Sequence, residues 1–174
     1  MGDAPGHWNA ERNFILQQGF EEPAAQSCEL QYSALLIQPR VILAIVVIAT
    51  ILQSPPVFLV LSAILWWSAI LPRWNPFEAV YNATLGARPG ALRLERAPAP
   101  RRCAQAMAAT LALAIGVSLL RGWKTWALVV EGFFIVLVVA LAFGGFCLGS
   151  FVYHLLRGRT LFALRTLPWS RART

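Results

Sequence analysis

The sequence predicts an all-α fold, a polytopic membrane protein of four transmembrane helices arranged as two hairpins. Three observations carry this. Hydrophobic residues make up 57% of the 174-residue chain and charged residues 13%, a balance too apolar for a water-soluble globule. Two long apolar segments, 103–120 and 128–156, suit membrane spans, and a third apolar region, 41–71, is split by QSPP at 53–56. With four spans, 13 of the 15 basic residues share one side with both termini, and Arg121 and Lys124 alone lie on the other, a strong positive-inside bias. A single broken span over 41–71 would put the arginines of the linker and of the tail on opposite sides.

Residues 1–38 form a mildly acidic N-terminal arm, cytoplasmic or interfacial, with Asp3, Glu11, Glu21, Glu22 and Glu29 against Arg12. The piece HWNAERNFILQQGF sets Trp8, Phe14, Ile15, Leu16 and Phe20 among polar residues, which fits a helix lying on the bilayer surface or an ordinary loop. Pro39 fits the first position of a helix over about 40–53, because its missing N–H is one that a helix start cannot satisfy. Pro55 and Pro56 end that helix and start a second over about 56–71, closed by LPRWNP. Both are short for a core of about 30 Å, so tight turns or local thinning of the bilayer must make up the difference.

The basic linker 72–102, rich in Pro, Gly and Arg, lies outside the hydrocarbon, and helices over 103–120 and 128–156 follow around the turn RGWKTW, whose tryptophans suit the interface. The tail 157–174 alternates Arg with Leu, Phe and Trp, fitting a cytoplasmic segment held at anionic headgroups. The N-terminus lacks the pattern of a cleaved secretory signal, and MGDAPG lacks the hydroxyl residue of a myristoylation site. The expected location is the inner membrane with both termini cytoplasmic. The net charge of +7 follows topology and comes with no nucleic-acid-binding signature, so no nucleic acid partner is expected.

Ala104, Ala108, Ala112 and Gly116 repeat at a spacing of four, and Gly145 and Gly149, with Gly144 and Ser150 beside them, answer in the last span. Helices in lipid associate by close backbone approach, so these stripes predict packing of the third span on the fourth. Cys28, Cys103 and Cys147 show no metal or redox spacing, and with His7 and His154 as the only histidines no metal site and no cofactor is expected. Cys147 reads first as a packing residue: no Lys or Arg is near it in the sequence, and in a continuous helix it sits about 13 Å deeper than Cys103, too far to bridge. Glu131, the acid inside an apolar run, suggests an ion or proton role, against a plainer contact with Lys124, Arg121 or headgroups. His154 could ligate a haem or chlorophyll-type metal; an interfacial histidine beside headgroups or Arg157 is the plainer reading.

The segments GFCLGSFVY (145–153), RWNPFEAVYN (73–82) and PAPRRCAQ (98–105) together resemble the small bacterial four-helix membrane family known as domain of unknown function 4395, over roughly residues 36–156. That family's last helix usually carries a Gly-x-Cys-x-x-Cys-x-x-Tyr-like pattern, whose paired thiols imply thiol or sulfur handling. Here Cys147 and Tyr153 fall on the pattern, but Ser150 stands in place of the second cysteine, and a hydroxyl cannot act as a resolving thiol. The sequence therefore predicts a non-catalytic accessory or scaffold subunit packing against larger membrane partners. Thiol or sulfur handling through Cys147, or a small permease, is the alternative, and a pigment or haem subunit through His154 a second one.

Overall fold

The computed structural model describes residues 5–24, 27–88 and 91–170, with side chains described from residue 9 onward, so the side chains of His7 and Trp8 and the tail arginines Arg171 and Arg173 lie outside the described residues. The described residues are all-α. Their helices are α1 (Pro5–Gln17), α2 (Cys28–Leu52), α3 (Pro55–Ile70), α4 (Pro76–Thr84), α5 (Ala99–Leu120), α6 (Lys124–Ala142), α7 (Leu148–Leu156) and α8 (Thr160–Arg165), with a 3-10 turn at Pro72–Trp74. Three of them, α2, α5 and α6, are long and apolar enough to cross a membrane. The apolar α3 has 16 residues, about 24 Å, and packs on α5 more extensively than any other pair of elements. Along that seam Ser62 Oγ donates to the Ala109 carbonyl at 2.8 Å, and Arg102 Nε caps the end of α3 through the Ala69 carbonyl at 2.7 Å.

The first helix does not start at Pro39. It begins at Cys28 and runs through Pro39 to Leu52. An internal proline deprives one carbonyl of its partner, and packing outweighs this: Ala34, Leu35 and Leu36, a turn before it, are buried. Leu35 and Leu36 pack against α1, which is a helix, as one of the two readings had it, with Phe14 and Ile15 turned to α2. Phe14 and Ile15 are fully buried in a cluster with Cys28, Leu35 and Leu36, and the Phe14 ring meets the Tyr32 ring edge-on at 5.2 Å between centroids. Asn13 Nδ2 donates to the carbonyls of Leu167 and Ser170 at 3.1 and 3.2 Å, tying α1 to the chain beyond α8.

The linker is partly helical. Asn75 caps α4 by accepting the Phe77 N–H at 3.1 Å, with Pro76 at the first helical position.

The last predicted span, 128–156, is two helices. It breaks after Ala142, and Gly145 takes φ +61°, a left-handed conformation that glycine adopts without the steric penalty of a side chain. The Phe146 N–H bonds back to the Ala140 carbonyl at 3.2 Å, and Cys147 becomes the cap residue of α7. α7 then packs on α5. The depth argument that separated Cys147 from Cys103 fails for this reason: it assumed a straight helix, and the break brings Cys147 beside the first turns of α5, within electrostatic range of Cys103.

Candidate functional site

Where α1, α2, α5 and α7 meet, the fold gathers polar side chains that the sequence holds far apart. Gln17 lies at the end of α1, fully buried; its Oε1 accepts the Cys147 N–H at 3.0 Å, and its carbonyl lies 3.1 Å from His154 Nε2. Ser150 Oγ donates to Cys147 Sγ at 3.3 Å. Ser150, which stands where the resemblance implies a second cysteine, is thus a hydrogen-bond partner of Cys147. Cys147 is 2% exposed.

Its sequence neighbours include no cation, yet the fold supplies one. Arg101, in the first turn of α5, is 5% exposed and lines the same cavity of about 70 Å³ as Cys147. Its Nη2 donates to Gln38 Oε1 at 2.7 Å, and its guanidinium sits 5.9 Å from the centre of the Phe20 ring. Gln105 Nε2 reaches the same Gln38 oxygen at 3.4 Å. The PAPRRCAQ motif carried this site in plain view, but only the tertiary fold shows that its arginine faces inward. On its other side Arg101 lies within electrostatic range of Glu78 in α4, whose carboxyl burial pushes above the usual carboxylate range, with Arg101 opposing the shift. A second, apolar cavity of about 330 Å³ lies between α5, α6 and α7 and has Cys147 in its wall.

The small-residue stripe divides between neighbours. Gly149 meets Ala104: a Cβ on Gly149 would stand 2.5 Å from the Ala104 Cα. Ala108 lines both cavities that reach Cys147, and Ala112 is buried in the main core with α3 and α6 residues. Gly116 lies against Leu59 of α3, not against the last span, and Gly145 faces the Tyr32 hydroxyl.

Glu131 is 1% exposed and pairs neither with Lys124 nor with Arg121. Gln53 Nε2 donates to its Oε2 at 3.0 Å, while Oε1 is buried with no partner among the described residues. The pairing was hidden because the QSPP turn places Gln53 at the level of Glu131. Gln53→Leu should therefore destabilise the protein by about 1–3 kcal/mol, since it strips a buried acid of its partner, and Glu131→Gln should cost less. Thermal unfolding in detergent reads both.

His154 is 3% exposed, and its ring lies edge-on to Tyr153 and Phe162, with centroids 5.6 and 4.8 Å away. Its Nε2 lies against the Gln17 carbonyl, and its Nδ1 is buried with no partner among the described residues. Tyr153 instead stacks under Arg157 at 5.4 Å. Burial holds the His154 imidazole below its usual value of 6.5, with the Gln17 carbonyl raising it and Arg159 adding to the lowering. The unfolded chain then binds a proton that the folded one resists, so stability is full above about pH 6.5 and falls as pH drops through the folded value. A thermal midpoint that declines on acidification, with a shallower decline in His154→Gln, is the expected result.

No curated protein and no solved structure matches this chain. The family model of domain of unknown function 4395 matches residues 33–158, from the first third of α2 to just beyond α7. It thus contains Arg101, Cys147, Ser150 and His154 but not the α1 residue Gln17 that links Cys147 to His154. The chain belongs to the domain of unknown function 4395 family.

Proposed function

We propose that this chain is a sulfur-handling protein of the inner membrane, a carrier rather than an enzyme, in which Cys147 holds a sulfane sulfur as a persulfide. The observation that carries the reading is the company Cys147 keeps: a helix N-terminus, the Ser150 hydroxyl on its sulfur, and the buried cation of Arg101 in the same cavity. A hydroxyl donor on the sulfur and a cation lining the same cavity give Cys147 a polar setting that a plain packing residue does not need. Loading requires no second thiol. The Cys147 thiolate attacks the outer sulfur of a persulfide R–S–SH, the donor's S–S bond breaks, RS⁻ leaves and takes up the proton, and the new S–S bond stands on Cys147. Nothing is oxidised overall. The 330 Å³ cavity gives an apolar approach to the sulfur.

The carrier crosses the bilayer four times, α3 completing the first hairpin with both termini cytoplasmic, and its Arg-rich tail meets anionic headgroups. The support is the distribution of basic residues and the long seam between α3 and α5. Reporter fusions after Thr174 and within 121–126 should report opposite sides; a shared side sinks this topology.

A non-catalytic scaffold subunit within a larger membrane complex is the second reading, favoured by the 2% exposure of Cys147, which is what packing alone would give. Incubation of the purified full chain with glutathione persulfide separates the two. A carrier gains one sulfur atom, mapped to Cys147 and removed by dithiothreitol; a scaffold gains none there.

A further inference from the structure

We infer that the cavity of about 330 Å³ between α5, α6 and α7 is a substrate entrance that opens on the hydrocarbon of the bilayer, and that the sulfur donor it admits is a lipophilic persulfide, a single hydrocarbon chain ending in S–SH. The sulfur group rests on the carrier reading; the entrance for a hydrocarbon chain rests on the cavity and its place along the helices. The cavity runs from Cys147 and Gly149 at the start of α7 to Thr110 on α5 and Phe133 on α6. Thr110 and Phe133 line it and are also exposed, so they stand where it meets the outside. Both lie midway along helices long and apolar enough to cross a membrane. The middle of a spanning helix meets hydrocarbon and not water, so a compound passing between these two residues comes from within the bilayer.

The walls fit such a visitor. Met107 and Leu137 line the passage, and Thr110 donates its hydroxyl to the Ala106 carbonyl of its own helix at 2.9 Å, so it asks nothing of a passing ligand. At about 30 Å³ for a water-sized group, the cavity has room for a chain on the order of ten carbons. The other cavity that reaches Cys147, about 70 Å³, holds only a few water-sized atoms. Elsewhere the residue is shut in: Gln17 Oε1 holds its N–H at 3.0 Å, and the adjacent Phe146 ring lies against Phe151 and Trp169, with centroids 5.8 and 5.9 Å away. Glutathione persulfide, with its carboxylates and ammonium group, would have to shed water to enter an apolar passage and gain no partner in return. A hydrocarbon chain leaves one apolar medium for another. The Cys147 thiolate attacks the outer sulfur of the chain-borne persulfide, the donor's S–S bond breaks, and the alkyl thiolate takes up the proton that Cys147 released and returns to the bilayer as a neutral thiol.

Labelling of the full chain in liposomes tests the entrance without any sulfur transfer. N-dodecylmaleimide should modify Cys147 at least about tenfold faster than a sulfonated maleimide that cannot enter the membrane, because only the first can use the passage. Thr110→Trp and Met107→Trp should each slow the dodecyl reagent by about fivefold or more, since an indole in the passage forces overpacking as the chain goes by. Leu113→Trp, on an exposed position of α5 outside the cavity, should not. If one of the two mouth variants fails to fold, the other carries the comparison. Equal rates for the two reagents, no modification of Cys147 by the dodecyl reagent in the folded wild type, or wild-type rates in the folded mouth variants overturns the entrance. Dodecyl persulfide should also load Cys147 faster than glutathione persulfide. Equal loading by both overturns the lipophilic donor and leaves the carrier reading standing, whereas dodecylmaleimide labelling that obeys the mouth variants, with no loading by either persulfide, removes the carrier reading and supports the entrance.

Discussion

Gly149→Val should unseat α7 from α5 and lower the thermal stability of the protein more than any other surface-neutral change in this part of the fold. The first atom of any side chain at 149 would lie 2.5 Å from the Ala104 Cα and 2.7 Å from its Cβ. Neither neighbour has a rotamer to turn away, so a helix must move. Overpacking of this kind costs about 1–3 kcal/mol, and the two extra methyl groups of valine put it at the upper end. The effect spreads because α7 also holds Ser150 and His154 and is capped by Cys147, so the bonds from Gln17 loosen with it. A maleimide should then reach Cys147 faster, and Ala104→Gly should restore part of the loss. An unchanged unfolding midpoint in Gly149→Val would remove the contact from the account.

The second large effect is chemical. Cys147→Ala should abolish persulfide loading while leaving the fold nearly intact, because it removes one sulfur and its bond from Ser150 but keeps the backbone N–H that Gln17 accepts. The cavity term is about 1 kcal/mol, similar to deleting a single buried methyl or methylene group. Intact mass after persulfide treatment and the unfolding midpoint read the two quantities separately. Loading at full level on Cys28 or Cys103 in this variant would show that the site is misassigned. Ser150→Ala should load more slowly than the wild type but still load, since it removes a donor to the sulfur and not the sulfur.

The long apolar helices that could cross a membrane were legible from apolar length, as was the break at Pro55, where two prolines in succession leave a helix no continuation. The errors lie where a local rule met a tertiary contact. Pro39 reads as a helix start, yet burial of Leu35 and Leu36 on α1 carries the helix through it. The run 128–156 reads as one helix because Gly144 and Gly145 are common in membrane spans, and hydropathy is blind to the left-handed φ at 145 that turns the chain. The family resemblance singled out Cys147 and the arginines of PAPRRCAQ in separate motifs. That Arg101 shares a cavity with Cys147 follows from the same break, which no periodicity encodes. The contribution of Gln17 was hidden further still, because the aromatics around it suggested a bilayer as the surface they cover.

The central claim is that Cys147 carries a sulfane sulfur, and the state of that residue in cells tests it most directly. The full-length protein would be isolated from its native membranes in the presence of an alkylating agent that preserves persulfides, digested, and the peptide containing Cys147 weighed before and after dithiothreitol. The carrier account predicts a fraction of that peptide heavier by one sulfur atom and restored to the free thiol by the reductant, with the peptides of Cys28 and Cys103 unmodified. A Cys147 peptide found only as the free thiol, in folded protein from cells supplied with a persulfide source, would contradict it.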